Sequence, residues 1–180
     1  MNLIDMNAND ITMCIEGRDI EMKYPICFGK VHDRWLVSRC GKMWSLSKNK
    51  FIKGTPTWMR KADGTKRLVS VSTTVSSPVG FWEDGSGRVA TDQYRQRNVK
   101  RDIKIHKMVM DTWAPLYDNP PEGIVWEEWE KVRDLPTVYN HISKTIVIDH
   151  IDDDPTNNHI DNLRRVTQWD NNHTRKKKGI

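Results

Sequence analysis

Several stretches of the first 105 residues carry apolar positions in patterns of strands rather than helices, with at least partial alternation. Residues 31–46 (VHDRWLVSRCGKMWSL) read as two short strands around Cys40-Gly41, with Trp35, Val37, Met43, Trp44 and Leu46 as apolar positions. Residues 67–75 (RLVSVSTTV) are rich in β-branched types, and turn signals follow at Ser77-Pro78 and Asp84-Gly85-Ser86-Gly87. Val99, Arg101, Ile103 and Ile105 alternate with polar residues and predict another strand. Together, residues 24–105 predict a small antiparallel sheet carrying basic residues on its polar face.

The period changes after that. His106–Ala114 (HKMVMDTWA) predicts a short helix stopped by Pro115. Beyond the turn sequence DNPPEG, residues 124–135 (IVWEEWEKVRDL) space Trp126, Trp129 and Val132/Arg133 as an amphipathic helix would. Its acidic outer face suits packing and would repel DNA. Ile146-Val147-Ile148 is a β-run ending at Asp149-His150, followed by the polar loop IDDDPTNNHID and a second strand over Leu163–Val166. Thr167 with Asp170 three residues on is a helix-capping pattern. Three regions follow in order: β-rich residues 1–105, a helical connection with an acidic insert over 106–145, and strand–loop–strand–helix over 146–180.

Composition narrows the class. The chain has 180 residues with 29 Lys+Arg against 24 Asp+Glu, a pI near 9.1 and a mean hydropathy of −0.73. No apolar run approaches the roughly 20 residues of a membrane span. The N-terminal stretch has no signal-peptide pattern, so a cytoplasmic location is expected, in a host cell if the source is a phage. Cys14, Cys27 and Cys40 form no CxxC pair, which argues against structural zinc and against a disulfide framework. The charge is patchy: residues 30–70 hold eleven basic against two acidic residues, and residues 86–107 and 171–180 are also basic. Interleaved with Trp35, Trp44 and Trp58, these blocks favour a polyanion surface over a merely solvated face.

The chemistry concentrates at 146–173. If the two strands pair and the helix packs back across them, Asp149 and Asn171 bring two oxygens to one point. A hard divalent ion such as Mg²⁺ takes oxygen ligands and keeps several waters, so a carboxylate plus an amide suffices beside phosphate. A neutral His150 next to it would accept a proton from water attacking phosphorus. Asn162 would tie the loop and so orient His150. Asp152-Asp153-Asp154 lacks the Gly and terminal Glu of an EF-hand and is read as a loop brace. His173 lies roughly 200° round the helix from Asn171 and points elsewhere. His32 and His159 are expected in exposed loops, and His106 as a buried, hydrogen-bonded side chain. Arg164 and Arg165 alternate on a strand, so at most one faces phosphate.

Val147-x-Asp149-His150-x-Asp152, Asn157-Asn158, Asn162-Leu163-Arg164, Val166-Thr167 and Asn171 together resemble the HNH (ββα-metal) endonuclease family, in particular phage homing endonucleases of the nicking type. Upstream, His106-Lys107-Met108-Val109 resembles the HRLV helix before that motif, and Trp35-Leu36-Val37-Ser38 with Gly41 resembles a "VS-x-x-G" DNA-associated module. The resemblance implies an α+β fold, a small N-terminal antiparallel β region followed by a ββα-metal module. It implies a DNA endonuclease using one divalent ion, Mg²⁺ or Mn²⁺, on double-stranded DNA, as a monomer or weak dimer. His150 and Asn162 would be catalytic, Asp149 and Asn171 metal ligands, and Arg164, Arg165, Arg175, Lys176 and Lys177 DNA contacts. The alternative is an HNH-derived protein that binds DNA without cutting. The acidic insert 116–140 departs from the family's shorter connection, and no further reader module is expected behind the final helix.

Overall fold

The computed structural model describes the backbone of residues 10–15, 17–78, 88–92 and 95–177, and their side chains outside 77–98 and 174–177. Strands β1 (Ile11–Ile15), β2 (Arg18–Lys23), β5 (Trp35–Ser38), β6 (Met43–Ser45) and β7 (Lys50–Ile52) form one antiparallel sheet in the order β1-β2-β5-β6-β7. Strands β3 (Ile26–Cys27) and β4 (Lys30–Val31) pair as a separate small hairpin. Strands β8 (Thr55–Arg60), β9 (Lys66–Pro78), β10 (Arg88–Asp92) and β11 (Arg95–Lys104) form a second sheet ordered β10-β11-β9-β8. The single sheet expected over 24–105 is thus two sheets and a hairpin. β9 also continues through Ser77-Pro78 where a turn was expected; the turn expected at 84–87 lies outside the described residues.

Helix α1 (Ile105–Trp113) leads to a 3₁₀ turn at Leu116–Asp118, then α2 (Trp126–Val132) and α3 (Pro136–Thr145). β12 (Ile146–His150) pairs antiparallel with β13 (Leu163–Thr167), and α4 (Gln168–Lys177) contacts both strands. Proline at the first turn of α3 suits a helix start, where its missing N–H costs nothing. None of α3's residues is fully buried, and Val138, Tyr139 and Ile142 form a short half-buried apolar stripe on one face.

The chain divides into two compact units, residues 53–105 and the discontinuous pair 1–52 with 106–180. The second unit ends at residue 105, and residues 1–52 group with the later segments rather than with it. Local bonds explain the junction: Ile26 N donates to Thr112 Oγ1 at 2.9 Å, and Ile160 N donates to Arg39 O at 2.8 Å. Lys23 and Arg39 both lie over the Trp113 ring, 4.7 and 5.2 Å from its centroid. The buried apolar residues of this unit include Met22, Leu36, Val37, Met43, Met108, Val109 and Trp129. In the 53–105 unit Val75, Val99, Ile103 and Ile105 are buried, while Lys100, Asp102 and Lys104 alternate with them on the exposed side. That unit holds eleven basic and five acidic residues, a net +6, so the remainder of the chain is close to neutral.

Candidate active site

The site is built at the end of β12. The register sets Asp149 opposite Arg164 and His150 opposite Leu163. Asp149 and His150 are both buried, at 3% and 7% relative exposure. A buried carboxylate must be compensated, and Arg164 does so: its Nε and Nη2 both donate to Asp149 Oδ2, at 3.2 and 3.0 Å. Its remaining nitrogen, Nη1, donates to Glu122 Oε1 and Oε2 at 3.3 and 3.1 Å. Burial lowers the Arg164 pKa, but the Asp149 hydrogen bond and the Glu122 charge outweigh it, and the net shift is upward.

The loop between the strands is a hydrogen-bonded structure around Asp152. Its Oδ1 accepts from Asp154 N and from Asn162 Nδ2, both at 2.9 Å, and its Oδ2 accepts from Asn157 Nδ2 at 2.6 Å. The amides of Asn157 and Asn162, with the Asp154 N–H, hold the Asp152 carboxyl below its usual pKa. Asn162 also donates to Asn157 O at 2.8 Å and accepts from Asp152 N at 3.1 Å. Asp153 takes a left-handed backbone, φ 64°, which Asp tolerates better than most residues and which lets the chain turn.

The direct partner of His150 is Asn158, not Asn162. His150 Nε2 lies 3.2 Å from Asn158 Oδ1, and Asn158 Nδ2 donates to Thr156 O at 3.1 Å. The second bond fixes which way the amide faces, so an oxygen meets the imidazole and Nε2 is the protonated nitrogen. Nδ1 then carries the lone pair. Asn158 is 5% exposed; sequence reasoning quoted the Asn157-Asn158 pair but gave it no role. On the other side, His106 is buried and meets the His150 ring edge-on, centroids 5.1 Å apart.

Thr167 and Asp170 cap α4 as the sequence predicts: Asp170 N donates to Thr167 Oγ1 at 3.0 Å, and that hydroxyl donates to Asp170 Oδ2 at 2.6 Å. The cap fixes the helix start and with it Asn171, which is 7% exposed. Its Oδ1 is buried and accepts no hydrogen bond. An amide oxygen left bare beside β12 and β13 costs free energy unless something cationic or protic meets it. Such an oxygen is chemically suited to a hard cation.

Residues 141–173 match the family model described as HNH endonuclease. That segment, 33 of the 180 residues, is similar to the HNH endonuclease family. No curated protein matches the chain. Among solved structures it is similar to one described as "DNA binding and cleavage by the HNH homing endonuclease I-HmuI", at 18% identity and a TM-score of 0.40. The match covers 82% of this chain and 55% of that one, so the chain spans little more than half of its length.

Other expected residues fall elsewhere in and around the HNH segment. Arg165, expected among the DNA contacts, is 5% exposed. Its guanidinium donates to Ala114 O and to Met110 O, closing the C-terminal end of α1. Burial holds its pKa below the ordinary arginine value. A strand's alternating pleat sends it inward while Arg164 stays partly solvated. His32 is likewise not an exposed loop residue: it is 2% exposed, and burial lowers its pKa. His173 turns away from the site and stacks on Trp169, ring centroids 3.7 Å apart. The side chains of Arg175, Lys176 and Lys177 lie outside the described residues. Among the described residues no helix is long and apolar enough to cross a membrane.

Proposed function

We propose that the chain is a divalent-metal-dependent DNA endonuclease that hydrolyses phosphodiester bonds and leaves nicks, with residues 146–177 acting as a ββα-metal module. The observation that carries this reading is the bare, buried Oδ1 of Asn171 on the helix packed over the strand that ends in Asp149 and His150. Asp149 and Asn171 would hold the ion, Mg²⁺ or Mn²⁺, which when bound supplies Lewis acidity to the phosphoryl and leaving 3′ oxygens.

The chain's own residues do the rest. Asn158 keeps the Nε2 proton of His150 engaged, so the lone pair on Nδ1 is the one that takes a proton from water. Asn162 acts through the loop: by tying Asp152 and Asn157 it holds the turn from which Asn158 reaches His150. The net +6 on residues 53–105 supplies the attraction for a phosphate backbone. One site per chain makes a nick the first product, as expected of a monomer or weak dimer.

The alternative, DNA binding without cleavage, draws on one observation. Arg164 already sets a positive group against Asp149 Oδ2, where a metal ion would compete with it. Supercoiled plasmid incubated with Mg²⁺ or Mn²⁺ separates the readings. Wild type is expected to give open-circular DNA while His150→Ala gives none. If both proteins retard the plasmid on a gel and neither nicks it, cleavage is refuted and the binding reading stands.

A further inference from the structure

The acidic insert reaches the site through Glu122. Glu122 N donates to Arg165 O at 2.8 Å, which ties the insert to β13. Its carboxylate receives Arg164 Nη1 on both oxygens, and Arg164 in turn holds Asp149 Oδ2 through its other two nitrogens. The guanidinium is thus shared between a buried carboxylate, 5% exposed in its side chain, and a half-exposed one at 55%. Arg164 and Glu122 also line an open cleft of about 510 Å³ with Ile151 and Leu163.

We propose that Glu122 is a positioning residue for the metal site: through Arg164 it sets how readily Asp149 receives a divalent cation. This rests on the metal-dependent reading above. Asp149, Arg164 and Glu122 together carry one negative charge, which favours an arriving cation. Without Glu122 the Asp149–Arg164 pair is neutral, so no net negative charge is left to favour the ion. Glu122 also gives Nη1 an anchor away from Asp149, so the fork meets one carboxylate oxygen, Oδ2, rather than straddling both. Sequence placed the helix over 124–135 as a packing element and assigned no role to Glu122; the geometry points to this carboxylate as the insert's contribution to chemistry.

The test is Mn²⁺ binding to the full chain at low ionic strength, read from the loss of the free-ion electron paramagnetic resonance signal. Wild type, Glu122→Gln and Glu122→Asp are compared, each with a metal-free melting temperature. Because Glu122 is half exposed and screened, the dissociation constant of Glu122→Gln is expected to rise roughly three- to tenfold. The aspartate, keeping the charge, is expected to recover part of this, and high salt to shrink the difference. The metal-free melting temperature should not move. A Glu122→Gln protein that binds Mn²⁺ as wild type does overturns the proposal while leaving the metal site intact. Weaker binding that tracks a lower metal-free melting temperature and is not recovered by aspartate overturns it too, in favour of a purely structural role. Wild type that binds no Mn²⁺ removes the metal reading itself, and this inference with it.

Discussion

The polar residues of 149–171 and the polar residues of the β8–β11 sheet are handled in opposite ways. Around His150 they are buried or tied by hydrogen bonds, and each described contact constrains another: Asn158 on the buried His150, Asn162 on the exposed Asp152, Arg164 on the buried Asp149. On β11 the lysines stand exposed, Lys100 across from Ser76 and Lys104 across from Ser72. Proton transfer needs one geometry held to a fraction of an ångström, which burial and hydrogen bonding enforce. Attraction to a polyanion needs only charge in water, and rigid placement would add side-chain entropy cost without adding affinity. The contrast teaches that net charge and chemistry can be assigned to different parts of one small chain.

That separation can be broken most sharply at His150. His150→Ala is expected to lower nicking by roughly 10²- to 10⁴-fold while leaving gel-shift affinity unchanged; parallel loss of both would show the two regions to be one. Asn158→Ala is next, with an expected rate loss of about 10- to 100-fold, the usual cost of removing the partner that fixes an active imidazole. Its signature is slower single-turnover nicking at unchanged DNA affinity, because the imidazole is no longer held in one orientation. Arg165→Met tests structure rather than chemistry: stranding the Ala114 and Met110 carbonyls should cost about 1–3 kcal/mol in urea unfolding, and full stability would refute its role in closing α1. The smallest effect is expected at the sheet. Lys100→Gln with Lys104→Gln should weaken DNA binding a few-fold and reduce the slope of log K against log salt by up to about 2, with nicking at saturating protein preserved.

Within the candidate site, legibility followed locality. Asp149, His150 and Asn171 could be read as a group because they lie within one short segment, and the Thr167–Asp170 cap is a contact over three residues. The loop-tying role of Asn162 was legible for the same reason. Asn158 was not, since its importance depends on which way one amide faces. Arg164 and Arg165 differ by a single pleat, and only the position of α1 and the insert says which of them turns to Ala114 and which to Glu122.

The fold divides similarly. Apolar β-type positions announced β5 and β6, and alternation announced β9 and β11, whereas the exposure of β8 along its whole length leaves no period to detect. How the strands sort into two sheets, and the association of residues 1–52 with 106–180, depend on contacts such as Ile26 with Thr112 across long sequence separation. The sequence by itself determined the strand–loop–strand–helix order, its acid, base and amide groups and the basic character of the chain, because these rest on short-range spacing and on counting. Only the tertiary structure decided that Asn171 keeps a bare buried oxygen, that Asn158 orients His150, and that Glu122 shares Arg164 with Asp149. Those relations depend on angles and distances between segments, which no local pattern encodes.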